Sequence, residues 1–198
     1  MIKQSIKLSV LVLMIVHSFF LNGCLDTSEQ AVESQVIFKD LGVFGNTPSF
    51  DGVTDANKNI SEKDLKGKIW LISFFFASCG DICPRLNAAK SSLIAKIPSD
   101  SLRFLSVTVD PETDSPEFLS KYRKEMKFTD NRWSFVRMKN DSILQSFMDG
   151  MLVGYTENPE NHTARIILID NRSQIRGYFD ALDKQQIDSL ESILRKLK

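Results

Sequence analysis

"KIWLISFFFASCGDICPRLN", Lys68 to Asn87, decides how the rest of the chain is read. Its first ten residues, Lys68 to Ala77, are an almost continuous apolar run rich in aromatic side chains. Such a run suits a strand buried on both faces of a sheet. Ser78 to Cys83 then reads as a loop, and Pro84 fits the first turn of a helix. Leu86, Ala89, Leu93 and Ile97 recur at helical spacing beyond it,. Two cysteines, Cys79 and Cys83, with three residues between them, therefore lie where a buried strand hands over to a helix.

Working outward, "LRFLSVTV", Leu102 to Val109, predicts a second buried strand, after Pro98 and Ser99 end the helix. Ser115 as N-cap and Pro116 as N1 open a second helix in "SPEFLSKYRKEM",. Trp133 to Val136 predicts a short strand, and Ser142 to Met148 a short helix stopped by Gly150. "ARIILID" and "QIRGYF" read as a hairpin turning at Asn171-Arg172-Ser173,. An amphipathic helix over about Asp183 to Lys198 closes the chain, with Ile187, Leu190, Leu194 and Leu197 on one face,. This order predicts an α/β protein with a central mixed β-sheet flanked by helices, similar to the thioredoxin-like arrangement. The cysteine loop then falls at the C-terminal end of a central strand, where open α/β sheets place their chemistry.

Length and composition fit one domain and a tail, since 198 residues with 42% hydrophobic content suffice for a single packed core,. The 25 basic and 25 acidic residues cancel, which argues against nucleic acid as a partner,. "KDLKGK", Lys63 to Lys68, reads as a solvated turn. Lys3 and Lys7 followed by the apolar Leu8–Leu21 stretch form a secretory signal: 14 residues fall short of the ~20 a spanning helix needs,. "LNGC", Leu21 to Cys24, resembles a lipoprotein processing site, so residues 1–23 are expected to be a lipoprotein-type signal peptide and Cys24 the lipid attachment point. An uncleaved N-terminal anchor is the alternative. Both place the domain outside the cytoplasm and tied to a membrane, and His17 lies within the signal. Residues 24–40 read as a polar tether and residues 41–198 as the folded domain,. With Cys24 assigned to lipid, Cys79 and Cys83 are the only cysteines left of the three,.

A helix N-terminus lowers a cysteine pKa and favours thiolate. Thiolate is both the nucleophile of disulfide exchange and a soft ligand that selects copper(I). A redox couple, a pair of metal ligands and a small structural disulfide are thus all open, although a disulfide closing so short a loop stabilises little. Of the two histidines, His162 precedes a predicted hairpin strand. An isolated histidine in a polar loop is ordinarily exposed and idle. In thioredoxin-like folds, however, that loop faces the cysteine loop. A Cys₂His set suits copper in either oxidation state, whereas structural zinc normally takes four protein ligands.

At this point the residues resemble the Sco/SenC copper proteins of cytochrome c oxidase assembly, over roughly Leu41 to Lys198. "SFFFASCGDICPRLN" is similar to the family's Cys-Pro-Asp-Ile-Cys-Pro loop, with Gly80 in place of the first proline. "SVTVDPETDSPEFLSKY" resembles its Asp-Pro-x-x-Asp-x-Pro segment. "NHTARIILIDNRSQIRGYF" resembles its histidine loop and final hairpin, with Asn161 where an aspartate is usual, and "DLKGKIWLISFFF" resembles the strand entering the copper loop.

The resemblance implies one copper ion, copper(I) or copper(II), held by Cys79, Cys83 and His162. It further implies a metallochaperone of the bacterial cell envelope, anchored by lipid and facing the periplasm. Its partner would be the copper-site subunit of cytochrome c oxidase. The rival it implies is a thiol–disulfide oxidoreductase keeping the oxidase cysteines reduced. That reading needs a Cys79–Cys83 disulfide and a thioredoxin-like reductant. A peroxidase would need a supporting Thr/Arg pocket, for which no clear equivalent stands in the sequence. Asp110 is either a residue orienting His162 or a turn residue at Asp110-Pro111. Met138, Met148 and Met151 are expected to fill the core.

Overall fold

The computed structural model describes residues 41–154 and 163–196. β4 (Ile69–Phe75) has all seven residues buried, as its apolar run predicts. Strand alternation sends Ile69, Leu71 and Phe75 to one face of the sheet and Trp70, Ile72 and Phe74 to the other,. β5 (Leu102–Thr108) runs parallel to β4 and pairs with it from Ile69↔Leu102 to Phe75↔Thr108. β6 (Trp133–Met138) continues the parallel set beyond β5. On the other side of β4 lie β7 (Arg165–Ile169) and β8 (Gln174–Asp180), both antiparallel to their neighbours.

Helix α1 (Ile82–Lys96) connects β4 to β5, and α2 (Pro116–Glu125) connects β5 to β6. These helices and α4 (Lys184–Leu194) contribute Leu86, Leu93, Leu119, Leu190 and Leu194 to the first core face. Helix α3 (Asp141–Gly150) contributes Leu144, Phe147 and Met148 to the second face. The predicted cap forms: Ser115 accepts from the Phe118 amide,. Asp183 caps α4 by accepting from the amides of Gln185 and Gln186. Asn140 caps α3 by accepting from the Ile143 amide. Met138, Met148 and Met151 are core residues of the second face.

Three local differences have physical causes. Helix α1 starts at Ile82, two residues before Pro84, so Cys83 belongs to the first helical turn. A proline fits there because first-turn amides have no intrahelical acceptor. Gly150 lies inside α3, and the chain turns after it through Leu152 at φ 57° and Gly154 at φ 70°. The segment between Leu41 and Lys68 adds β1 (Gly45–Asn46), β2 (Asp51–Thr54), β3 (Asn59–Ser61) and a 3₁₀ turn at Glu62–Leu65. Among the described residues one eight-stranded sheet results, ordered β1-β8-β7-β4-β5-β6-β2-β3. No helix among the described residues is long and apolar enough to cross a membrane. The central mixed sheet with flanking helices is the α/β arrangement expected.

Candidate metal centre

The two cysteines stand at the C-terminal end of β4, one turn apart at the start of α1. The Asp81 N-cap makes no side-chain cap hydrogen bond. Its role falls to Cys79, whose Sγ accepts the Cys83 amide at 3.4 Å. Half-burial alone would raise the Cys79 pKa. The amides of Cys83, Asp81 and Ile82 and the Cys83 thiol all favour the anion and outweigh it, so the pKa is lowered,.

Cys83 is the opposite case. It is fully buried against the first core face. Burial is the main reason its pKa is pushed up to about 12, and hydrogen bonding to Cys79, the Cys79 charge and the Asp114 carboxylate act in the same direction. The Phe76 amide opposes them. Both cysteines are reduced thiols here. One sulfur is reachable and the more readily ionised of the two, and the other is protonated and enclosed. Adjacent to each other, they suit a soft ion that draws the second proton off, and equally suit dithiol exchange.

Asp110 is placed in the turn: its carboxylate accepts from the Thr113 amide at 3.3 Å, and its carbonyl accepts from the Asp114 amide at 2.9 Å. The carboxylate that reaches the cysteine loop belongs to Asp114. It is fully buried and accepts the Ala77 amide at 3.0 Å and the Thr108 hydroxyl at 2.6 Å. Burial raises its pKa against the pull of those two donors,. Tyr122 of α2 completes this wall: its hydroxyl accepts from Asn87 at 2.9 Å, and burial raises its pKa, with Cys83, Cys79 and Asp114 adding to the effect. Tyr122 and Asn87 escape a reading of the sequence, because such residues on a helix face are ordinary features; Asp114 stands in the Asp-Pro-x-x-Asp-x-Pro segment, where nothing marks it out from Asp110.

His162 lies outside the described residues. Strand β7, which follows it, pairs with β4 from Trp70↔Ile169 to Ile72↔Ile167, so Arg165 begins β7 at the end of the sheet where the cysteine loop leaves β4. Among the described residues no group of three or more His, Cys, Asp or Glu side chains could hold a metal. The described part of the centre is therefore the sulfur pair, and its donor chemistry fits copper.

The family model described as SCO1/SenC matches residues 45–198. The SCO1 protein homolog of Bacillus subtilis is 26% identical over 142 residues, covering 68% of this chain and 74% of that protein. Among solved structures, BsSco, described as a member of the Sco family of cytochrome c oxidase assembly proteins, superposes with a TM-score of 0.70 at 23% identity. The match covers 79% of this chain and 96% of that one. ScoI of Bradyrhizobium japonicum, solved with copper bound, gives a TM-score of 0.64 at 21% identity over 77% of this chain and 99% of that one. The thioredoxin-like fold of these proteins is shared, and with the family model matched along most of its length the chain belongs to the SCO1/SenC family.

Proposed function

We propose that this protein is an extracytoplasmic copper chaperone that binds one copper ion through Cys79, Cys83 and His162. It passes the ion to the dinuclear copper site of a respiratory cytochrome c oxidase. The observation that carries this reading is the unequal sulfur pair: an accessible thiol of lowered pKa at a helix N-terminus beside an enclosed one whose pKa is raised. Copper captured by Cys79 displaces the Cys83 proton and becomes two-coordinate, and His162 supplies nitrogen, which copper(II) needs more than copper(I) does. Transfer runs by ligand exchange, with incoming thiolates replacing Cys79 and Cys83 stepwise. Lipid on Cys24 and the polar tether of residues 24–40 hold the domain at the membrane, facing the periplasm. A mature chain beginning upstream of Cys24 with no added mass on that residue contradicts the lipid assignment.

The same pair supports a second reading, a thiol–disulfide oxidoreductase that keeps the oxidase cysteines reduced, because exchange also begins at a low-pKa accessible thiol. The His162→Ala variant separates the two readings. A metal site losing a ligand weakens at least ~10–100-fold, whereas a dithiol couple needs only its sulfurs. The expected result is loss of copper(II) binding and of oxidase assembly, with disulfide cycling retained. Unchanged copper affinity and oxidase activity in that variant favour the oxidoreductase.

A further inference from the structure

On its buried side, helix α1 carries Cys83, Asn87 and Lys90, each without solvent exposure. Seven residues are nearly two full turns, so Lys90 lies on the same side of the helix as Cys83, about 10.5 Å along the axis. Asn87, between them, reaches α2 through the Tyr122 hydroxyl at 2.9 Å. Lys90 reaches the sheet. Its Nζ lies 2.9 Å from Ser73 Oγ on β4, 2.8 Å from the Leu105 carbonyl and 2.7 Å from Ser106 Oγ on β5. Ser73 and Ser106 are partners across the parallel β4–β5 pair, and Ser106 Oγ also accepts from the Trp133 indole of β6 at 3.1 Å. The Trp133 ring centroid is 5.0 Å from Nζ. One amine therefore joins α1 to three adjacent strands, and none of its three acceptors is a carboxylate. Lysine is almost never fully buried without an ion-pair partner, so its presence here calls for an account.

A methionine would fill the same space, and burying an amine costs more than burying a thioether. What the amine adds is direction. Apolar contacts let one element slide over another, whereas three hydrogen bonds fix distance and angle together. Fixing register is the best-attested use of a buried polar group. Because α1 is a single 15-residue helix, a slide or roll at Lys90 is carried to Cys83 two turns away. The loop before α1 gives no comparable hold at Gly80, where an added Cβ would meet nothing within 4 Å. We propose that Lys90 is the positioning residue of Cys83, pinning α1 to β4 and β5 so that the enclosed sulfur keeps its depth and its place relative to Cys79. This rests on Cys79 and Cys83 being the working pair, and adds a residue that acts on them from two helical turns away.

The test compares Lys90→Met with Lys90→Met/Ser73→Ala in the copper-free full chain. Methionine keeps the volume and removes the bonds. The second change removes the hydroxyl left unpaired on β4, while Ser106 keeps the Trp133 indole as a donor,. The urea midpoint falls in the single variant and recovers toward wild type in the double, so a merely stabilising role would recover with it. The cysteine readouts do not recover: in both variants Cys83 alkylation by iodoacetamide is ~10-fold faster, and the Cys79–Cys83 dithiol–disulfide equilibrium with glutathione moves ~10-fold, or ~30 mV. Wild type in enough urea to match each variant's stability gives the labelling that global unfolding alone produces. Ser73→Ala by itself removes one bond of the three and moves both readouts the same way by less, which keeps the test open should Lys90→Met fail to fold. Labelling no faster than in the matched wild type, with an unchanged glutathione equilibrium, overturns the role of Lys90. Neither readout uses copper. A wild-type chain that binds no copper, with both shifts present in the variants, overturns the copper reading and leaves the positioning role standing.

Discussion

Cys79 and Cys83 differ in acidity because one sulfur sits over helix-terminal amides and the other is sealed in the core. In the reduced, copper-free protein this predicts ordered alkylation. A pKa of about 12 leaves Cys83 on the order of one part in 10,000 thiolate at pH 8,. Iodoacetamide at that pH should label Cys79 first and Cys83 only slowly, as peptide mass mapping would record; equal labelling contradicts the assignment. The place of this pair was legible, since an apolar strand run and a proline of the first helical turn bracket it. Their inequality was not, because it comes chiefly from how deeply the packed core encloses Cys83, to which the Cys79 charge and Asp114 add. Of the two aspartates in the Asp-Pro-x-x-Asp-x-Pro segment, Asp110 sits in the turn and Asp114, four residues on, faces inward.

The strands and helices that bear the site follow from local pattern, and their exceptions come from tertiary packing. Ile69–Phe75 reads as a doubly buried strand and is one. The short strands β1 to β3 escape detection because each is two to four residues long and is held by pairing. At Gly52 in β2, an added Cβ would meet Val136 Cγ1 at 2.8 Å and the Arg137 carbonyl at 3.0 Å. Gly52→Ala should therefore destabilise the protein by about 1–3 kcal/mol in urea unfolding, the range for overpacking. Asn140→Ala, which removes the α3 cap, should cost about 1 kcal/mol by the same measurement,. Lys90 is the least expected element of the packing. Leu86, Lys90, Leu93 and Ile97 share one helical stripe, and Lys90 is as buried as its neighbours. Its ammonium donates to Ser73 Oγ, Leu105 O and Ser106 Oγ at 2.7–2.9 Å and lies 5.0 Å from the Trp133 ring centroid. Two serines in apolar strands, paired as Ser73↔Ser106, were the visible sign of a buried donor.

For the whole molecule, Lys90 predicts a pH dependence of stability. Burial lowers its pKa well below the ordinary lysine value,. Between that lowered pKa and ~10.4 the unfolded chain binds the proton and the folded one does not, so this group's contribution makes stability rise with pH. Cys83 and Tyr122, whose pKa values burial raises, pull the other way at high pH. Lys90→Met keeps those groups and removes only the lysine. The stability of wild type minus that of Lys90→Met should grow as pH rises from 7 to 10; parallel curves contradict a depressed lysine. The fold as a whole was readable from periodicity, turn residues and cap residues; of the proposed metal centre the cysteine pair was readable because its two residues are local, and His162 lies outside the described residues. Copper stoichiometry on reduced protein tests the proposed function most directly. The account predicts one copper per wild-type chain and none in the Cys79→Ser/Cys83→Ser variant at unchanged fold. A double variant that still holds one copper tightly contradicts it.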